Sequence, residues 1–154
     1  MMKKFVSVCL ILLTLILTSC SSLKVEELPE PSELFSEIKG KVQMMEMINV
    51  PEDYLKSNTG IDAESYSSMV YYIPLESVSP EEIIIIRAVD NIAAADIQSK
   101  LEALLTSKEM AAQMYLTEYM PVIQQGFVRR DGLTVSLIVS AQAAQIAEIY
   151  DSYK

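Results

Sequence analysis

Apolar residues along this chain follow a helical rhythm in some stretches and a strand rhythm in others. Leu34, Phe35, Ile38, Val42 and Met45 fall near i, i+4, i+7 and i+11, the spacing of an amphipathic helix. Ser32 is placed to cap that helix, which starts at Glu33. Gly40 weakens its middle by roughly 1 kcal/mol relative to Ala. Pro51 opens a second short helix, with Tyr54 and Leu55 inward and Gly60 as a left-handed terminator. The rhythm then changes. Tyr66 to Leu75 is rich in β-branched and aromatic residues and carries Pro74 as a stop, which predicts a strand. Ile83 to Ile86 is an unbroken apolar run of the kind found in a central strand, with Arg87 at its end.

Asp90 or Asn91 caps a long third helix. Ile97, Leu101, Leu104, Ala112, Tyr115 and Tyr119 form its stripe, and Pro121 ends it. Val122 to Arg130 is a second β run. Asp131-Gly132 suits a two-residue hairpin turn, because glycine takes positive φ freely. That turn sets Val128 opposite Val135 and Gly126 opposite Leu137. Leu133 to Val139 returns as a strand, and Ser140 caps a final helix through Ala144, Ala147, Ile149 and Tyr150. The predicted fold is α+β: two N-terminal helices, then a ββα-ββα arrangement at about 66–119 and 122–154. It makes a four-stranded, mostly antiparallel sheet with helices on one face. On that fold one face of the Ile83–Ile86 strand is fully buried and the other partly open.

Upstream of all this the pattern is of another kind. Lys3 and Lys4 precede an apolar run from Phe5 to Leu17, broken only by Ser7 and Thr14. The run is shorter than the ~20 apolar residues needed to span a bilayer. A positive start, a short apolar stretch and small residues at its end make a secretory signal, residues 1–19. Leu17-Thr18-Ser19-Cys20 resembles the bacterial lipobox. The resemblance implies diacylglycerol transfer to the Cys20 sulfur and cleavage between Ser19 and Cys20. Two acyl chains hold a protein stably where one does not. The expected location is therefore the outer face of the cytoplasmic membrane, through a lipid anchor. Residues 20–31, including Ser21 to Pro31 (SSLKVEELPEP), read as a flexible acidic tether that reaches up to roughly 35 Å from the bilayer. Residues 32–154 form one domain with a core of its own.

Composition narrows the chemistry. The chain carries 12 Lys plus Arg against 21 Asp plus Glu, a net charge of −9. Loss of Lys3 and Lys4 with the leader makes it more negative by two. Nucleic acid is disfavoured as a partner, because phosphate binding needs clustered cations. There is no His, and the only Cys are Cys9 and Cys20. Cys9 leaves with the signal and Cys20 takes lipid. Ser-His-Asp and Cys-His catalysis, disulfides and His-containing zinc sites fall away. We expect no catalytic residues, no metal site and no cofactor beyond the diacylglycerol on Cys20.

The remaining candidates are surface chemistry. Glu81-Glu82 and Asp90-Asn91 flank the isoleucine strand, with Glu82 and Asp90 roughly 25 Å apart, too far to share an ion or a bond. They read as a solvated strand approach and a helix cap. Arg87 is a buried cation that needs a partner, or a charge at the sheet edge. Met44, Met45 and Met47 are core filler or a soft surface. Tyr71 and Tyr72 must point to opposite faces of their strand, so at least one is core. With Arg129 and Arg130 at the hairpin tip they are the candidate binding surface, for a wall polymer, a sugar or a lipid phosphate.

A family resemblance rests on these features together. They are the lipobox leader, the acidic tether, the Met-rich first helix, Pro80-Glu81-Glu82-Ile83, Tyr119-Met120-Pro121 and the hairpin at Gly132. Over roughly residues 33 to 153 the chain resembles a family of small lipoproteins of Gram-positive, mostly anaerobic bacteria, known only as a domain of unknown function. The resemblance supplies no site residue. The function expected is a non-enzymatic, lipid-anchored module that binds an envelope protein or wall component. A carboxylate-based glycan-cleaving enzyme and a small-solute-binding lipoprotein are the alternatives. The first would need two carboxyl groups about 5–9.5 Å apart in a cleft.

Overall fold

The computed structural model describes residues 28–75 and 79–154. The leader, Ser19, Cys20 and the first part of the tether lie outside the described residues. Leu28 and Pro29 are already fixed to the domain. The Arg87 guanidinium donates to the Leu28 carbonyl at 2.6 Å and the Pro29 carbonyl at 3.0 Å. It also pairs with Glu30 at 3.2 Å, and Leu28 is buried. The chain is therefore held from Leu28 onward, earlier than the tether boundary at Pro31 read from composition.

The first helix, α1, runs Pro31–Lys41 with Pro31 in its first turn. Proline is suited there, since its missing N–H would have had no helical partner. Ser32 is thus inside the helix rather than its cap. After Lys41 the chain extends into a short strand, β1 (Met47–Asn49), where the sequence reading continued the helix to Met45. Next comes α2 (Glu52–Thr59), which ends on Gly60 at φ +70°, as predicted. Strand β2 is Tyr66–Pro74 and β3 is Glu82–Ala88. The long helix α3 spans Asn91–Tyr115, and the Asp90 side chain accepts from the Ala93 N–H at 2.8 Å.

Pro121 does not end that helix. It sits in the first turn of a short one, α4 (Met120–Gln124). Strand β4 therefore starts only at Phe127 and runs to Asp131. Strand β5 is Thr134–Val139 and α5 is Ala143–Asp151. Asp131 pairs with Thr134, so the hairpin loop is Gly132-Leu133, and Val128 faces Leu137 rather than Val135. Gly132 alone takes positive φ (+60°), as in a type II′ turn. The slip moves every partner by two residues, which leaves each side chain on its predicted face.

All strand pairs are antiparallel, in the order β1-β2-β3-β5-β4. The sheet has five strands, not four, because β1 adds to β2. The helices cover both faces, which corrects the one-sided arrangement. Ile84, Ile86, Tyr71, Val135, Leu137 and Val139 pack with Leu55 of α2, Ile97 and Leu101 of α3 and Ile123 of α4. Ile83, Ile85, Val70 and Ile138 pack with Leu34, Phe35 and Ile38 of α1 and Ile146 and Ile149 of α5. The ββα repeat is thus topological only, since α3 and α5 lie on opposite faces. All four isoleucines are at 0% exposure. Each contributes about 1.5–3 kcal/mol by burial, and no open sheet face is left at β3.

Gly126 makes the turn into β4 possible. A Cβ there would meet the Ile123 carbonyl at 2.9 Å and the Ile138 carbonyl at 3.1 Å. Both are backbone atoms that cannot swing aside. Among the described residues, no helix is long and apolar enough to cross a membrane.

Candidate functional site

Two ends of the sheet differ in what they carry. At one end lie Arg87, the Leu28-Pro29 segment it holds, and the Gly132 turn. At the other, β3 begins at Glu82, beside Pro74 at the end of β2. The polar chemistry is concentrated at this second end.

Glu82 is 2% exposed, although it precedes four isoleucines on a strand. Its burial is made tolerable by three donors. Lys108 Nζ of α3 lies 2.5 Å from Oε2. The Tyr71 hydroxyl donates to Oε1. Asn58 Nδ2 of α2 lies 2.6 Å from the Tyr71 oxygen and 3.4 Å from Glu82 Oε1. A buried carboxylate held in this way is fixed in place by its partners. Burial, and next the Glu82 charge, push the Tyr71 hydroxyl well above its ordinary range. Tyr71 therefore stays protonated as a donor.

This network floors an open cleft of about 300 Å³ whose walls include Tyr54, Asn58, Ser79, Leu104 and Lys108. Tyr54 is 44% exposed, and its ring stands edge-on to Tyr71, with centroids 5.4 Å apart at 62°. One face of the cleft is aromatic and aliphatic, and the floor is polar.

Glu81, its neighbour, turns to the other layer. Its Oε1 accepts from the Ala141 N–H at 2.7 Å and from the Ser140 hydroxyl at 3.2 Å, at the approach to α5. Ser140 is thereby buried in a bond network ahead of α5, and Gln142 occupies the cap position. Glu81 and Glu82 are both buried, where the sequence reading made them a solvated approach. A charged pair there reads as exposed by composition, and partners distant in sequence, Lys108 on α3 and Ser140 and Ala141 ahead of α5, reverse it.

The residues picked from sequence as a binding surface are not brought together. Tyr71 is at 0% exposure beneath the cleft. Tyr72 is on the opposite face, as strand alternation requires, stacked on Phe35 with centroids 3.6 Å apart. Arg129 lies over the Tyr150 ring at 5.0 Å and pairs with Asp131 and, at 2.9 Å, with Asp151. It holds the Asp151 carboxyl below the usual carboxylate range. Arg130 turns away to Asn91 Oδ1 at 2.8 Å and the Gly132 carbonyl at 3.0 Å. Both arginines fasten the hairpin to neighbouring helices. Met44 and Met47 pack partly on the α1 layer and border a second hollow of about 300 Å³ with Phe35 and Val42.

The sequence reading missed Lys108, Asn58 and Tyr54 as partners in one site. One signal was present. Lys108 continues the inward stripe of Ile97, Leu101 and Leu104 at the spacing where an apolar residue belongs. A cation in that position needs a buried anion, and Glu82 is the one it meets. Among the described residues, no three of His, Cys, Asp and Glu come together to hold a metal ion.

The fold and the cleft define a three-layer α+β domain with one buried ion pair at the end of its sheet. Residues 40–140 match the family described as DUF4358, a domain of unknown function, and the chain belongs to that family. The matched region begins near the end of α1 and runs through β5, so it contains all five strands and the whole cleft. No curated protein and no solved structure matches the chain significantly.

Proposed function

We propose that the chain is a lipid-anchored, non-enzymatic domain on the outer face of the cytoplasmic membrane, where it binds a component of the cell envelope. The observation that carries this reading is Leu17-Thr18-Ser19-Cys20 at the end of a basic start and a short apolar run. A thiol at that point is the acceptor for diacylglycerol, and two acyl chains give a persistent anchor. The shape of the domain supports the binding half of the reading. Arg87 clamps the chain at Leu28 and Pro29, at one end of the sheet. The Tyr54–Lys108 cleft lies at the other end. An anchored domain so built offers its cleft away from the bilayer. Glu81 and Glu82 both line the cleft, but each is tied to donors from opposite layers, which favours binding over glycan cleavage.

Metabolic labelling with a fatty-acid analogue tests the anchor. The parent chain takes label, while Cys20→Ala takes none and accumulates as precursor or shed protein. Equal labelling of the two would overturn the reading.

A further inference from the structure

We propose that the Tyr54–Asn58–Lys108 cleft binds a neutral saccharide, with the Tyr54 ring as platform and Asn58 and Lys108 as hydroxyl partners. The inference rests on the reading of this domain as an envelope-binding module and names the ligand class for its cleft.

Three features of the cleft point to this ligand. The first is the ring. Tyr54 is 44% exposed, yet its orientation is fixed by the edge-on contact with buried Tyr71. A preset aromatic side chain accepts the C–H face of a pyranose with little loss of side-chain entropy. Leu104 and Ile73 extend the apolar wall, which can hold further C–H groups or an acetyl methyl.

The second is the polar set opposite that wall. Asn58 donates one N–H direction to Tyr71 and Glu82. Its amide has further donor and acceptor capacity. Lys108 has three donors, of which one goes to Glu82 at 2.5 Å and one lies 3.5 Å from the Pro80 carbonyl. Its side chain is 25% exposed. Ser79 adds a hydroxyl to the rim. Short polar groups with both donor and acceptor capacity fit vicinal hydroxyls, which both give and accept.

The third is charge. Lys108 is paired with Glu82, so among the described residues the cleft has no free cation to hold a phosphate or a carboxylate. The chain as a whole is at −9, which repels anions. Glu81 and Glu82 also line the cleft, but each is already held by its own donors, so the polar groups left to a ligand suit a neutral one. Recognition is fixed in advance, because Tyr71 braces Tyr54 and Glu82 holds Asn58 and Lys108.

The test uses the full chain in detergent micelles with chitotetraose, a neutral saccharide whose acetamido groups offer donors, acceptors and methyls. Saturation-transfer NMR reads contact, and tyrosine fluorescence reads affinity, since the chain has no Trp. We expect saturable binding with a Kd of about 1 mM or tighter. Tyr54→Ala and Asn58→Ala should each weaken it by at least about tenfold. Tyr115→Ala, on the 79%-exposed Tyr115 at the end of α3, should bind as the parent does. Circular dichroism of each variant confirms that loss of binding is not loss of fold. No binding by the parent, or equal binding by folded Tyr54→Ala, overturns the proposal. Either result leaves the fatty-acid labelling at Cys20 untouched, so the anchor and the ligand fail separately.

Discussion

Glu82 and Lys108 pose the main energetic question at the scale of single residues. A carboxylate at 2% exposure costs several kcal/mol to desolvate unless it is paired and hydrogen-bonded. Lys108, Tyr71 and Asn58 offset that cost together. Removing one partner leaves the other charge stranded, which is worse than removing both. We predict that Lys108→Met costs about 3 kcal/mol, the low end of the range for a broken buried pair, because Lys108 keeps some exposure. The double variant Lys108→Met with Glu82→Gln should recover more than half of that loss, by urea midpoints at fixed pH. A double variant as unstable as the sum of its singles would contradict the network. Sequence alone marked Glu82 only as one of two adjacent acids. Its burial depends on a lysine 26 positions further along the chain, and no local pattern states that distance.

The elements were legible in proportion to their length and period. The isoleucine run, the start of α3 at its Asp90 cap and the Gly60 terminator were each specified by residues within the element, and each stands where the pattern put it. The failures share a cause, which is that a neighbour decided them. Strand β1 has three residues, too few to show alternation, and exists because Tyr72 to Pro74 offer it hydrogen bonds. Pro121 carries the same local signal whether it stops a helix or starts one. The side of the sheet on which α1 and α5 pack is likewise absent from any single segment. Amphipathicity says that a helix has a face to bury, not which layer receives it. The candidate site was less legible than the fold, because its members come from α2, β2, β3 and α3.

Coverage of both faces changes what β3 should show. Ile83, Ile84, Ile85 and Ile86 are all at 0% exposure, two in each core. Each Ile→Ala change should therefore cost about 2–5 kcal/mol through lost transfer energy and the residual cavity. The two faces should lose similar amounts in denaturant titrations. A face whose pair lost less than about 1 kcal/mol would not be a closed core.

The whole molecule has a direction. The described chain starts at the Arg87 end of the sheet, and α3 runs from that end toward the cleft. At 1.5 Å per residue its 25 residues span about 37 Å, against about 23 Å for the seven of β3. Its last turns therefore project past the sheet beyond Lys108, carrying Met110, Met114 and Tyr115, each more than half exposed. Ile92, 83% exposed, marks the opposite end. From Cys20 to Leu28 the chain can reach about 26 Å, so a domain anchored as proposed would hold its Ile92 end near the bilayer and its cleft outward.

Site-directed quenching on vesicles tests this arrangement most directly. Cys9 and Cys20 are the only cysteines, so a chain processed and lipidated as proposed would present no competing thiol. A fluorophore is placed on Ile92→Cys or on Tyr115→Cys, and the full lipidated chain is reconstituted in vesicles with a headgroup-bound quencher. The account predicts clearly stronger quenching at 92 than at 115. Equal quenching at the two positions, or stronger quenching at 115, would contradict it.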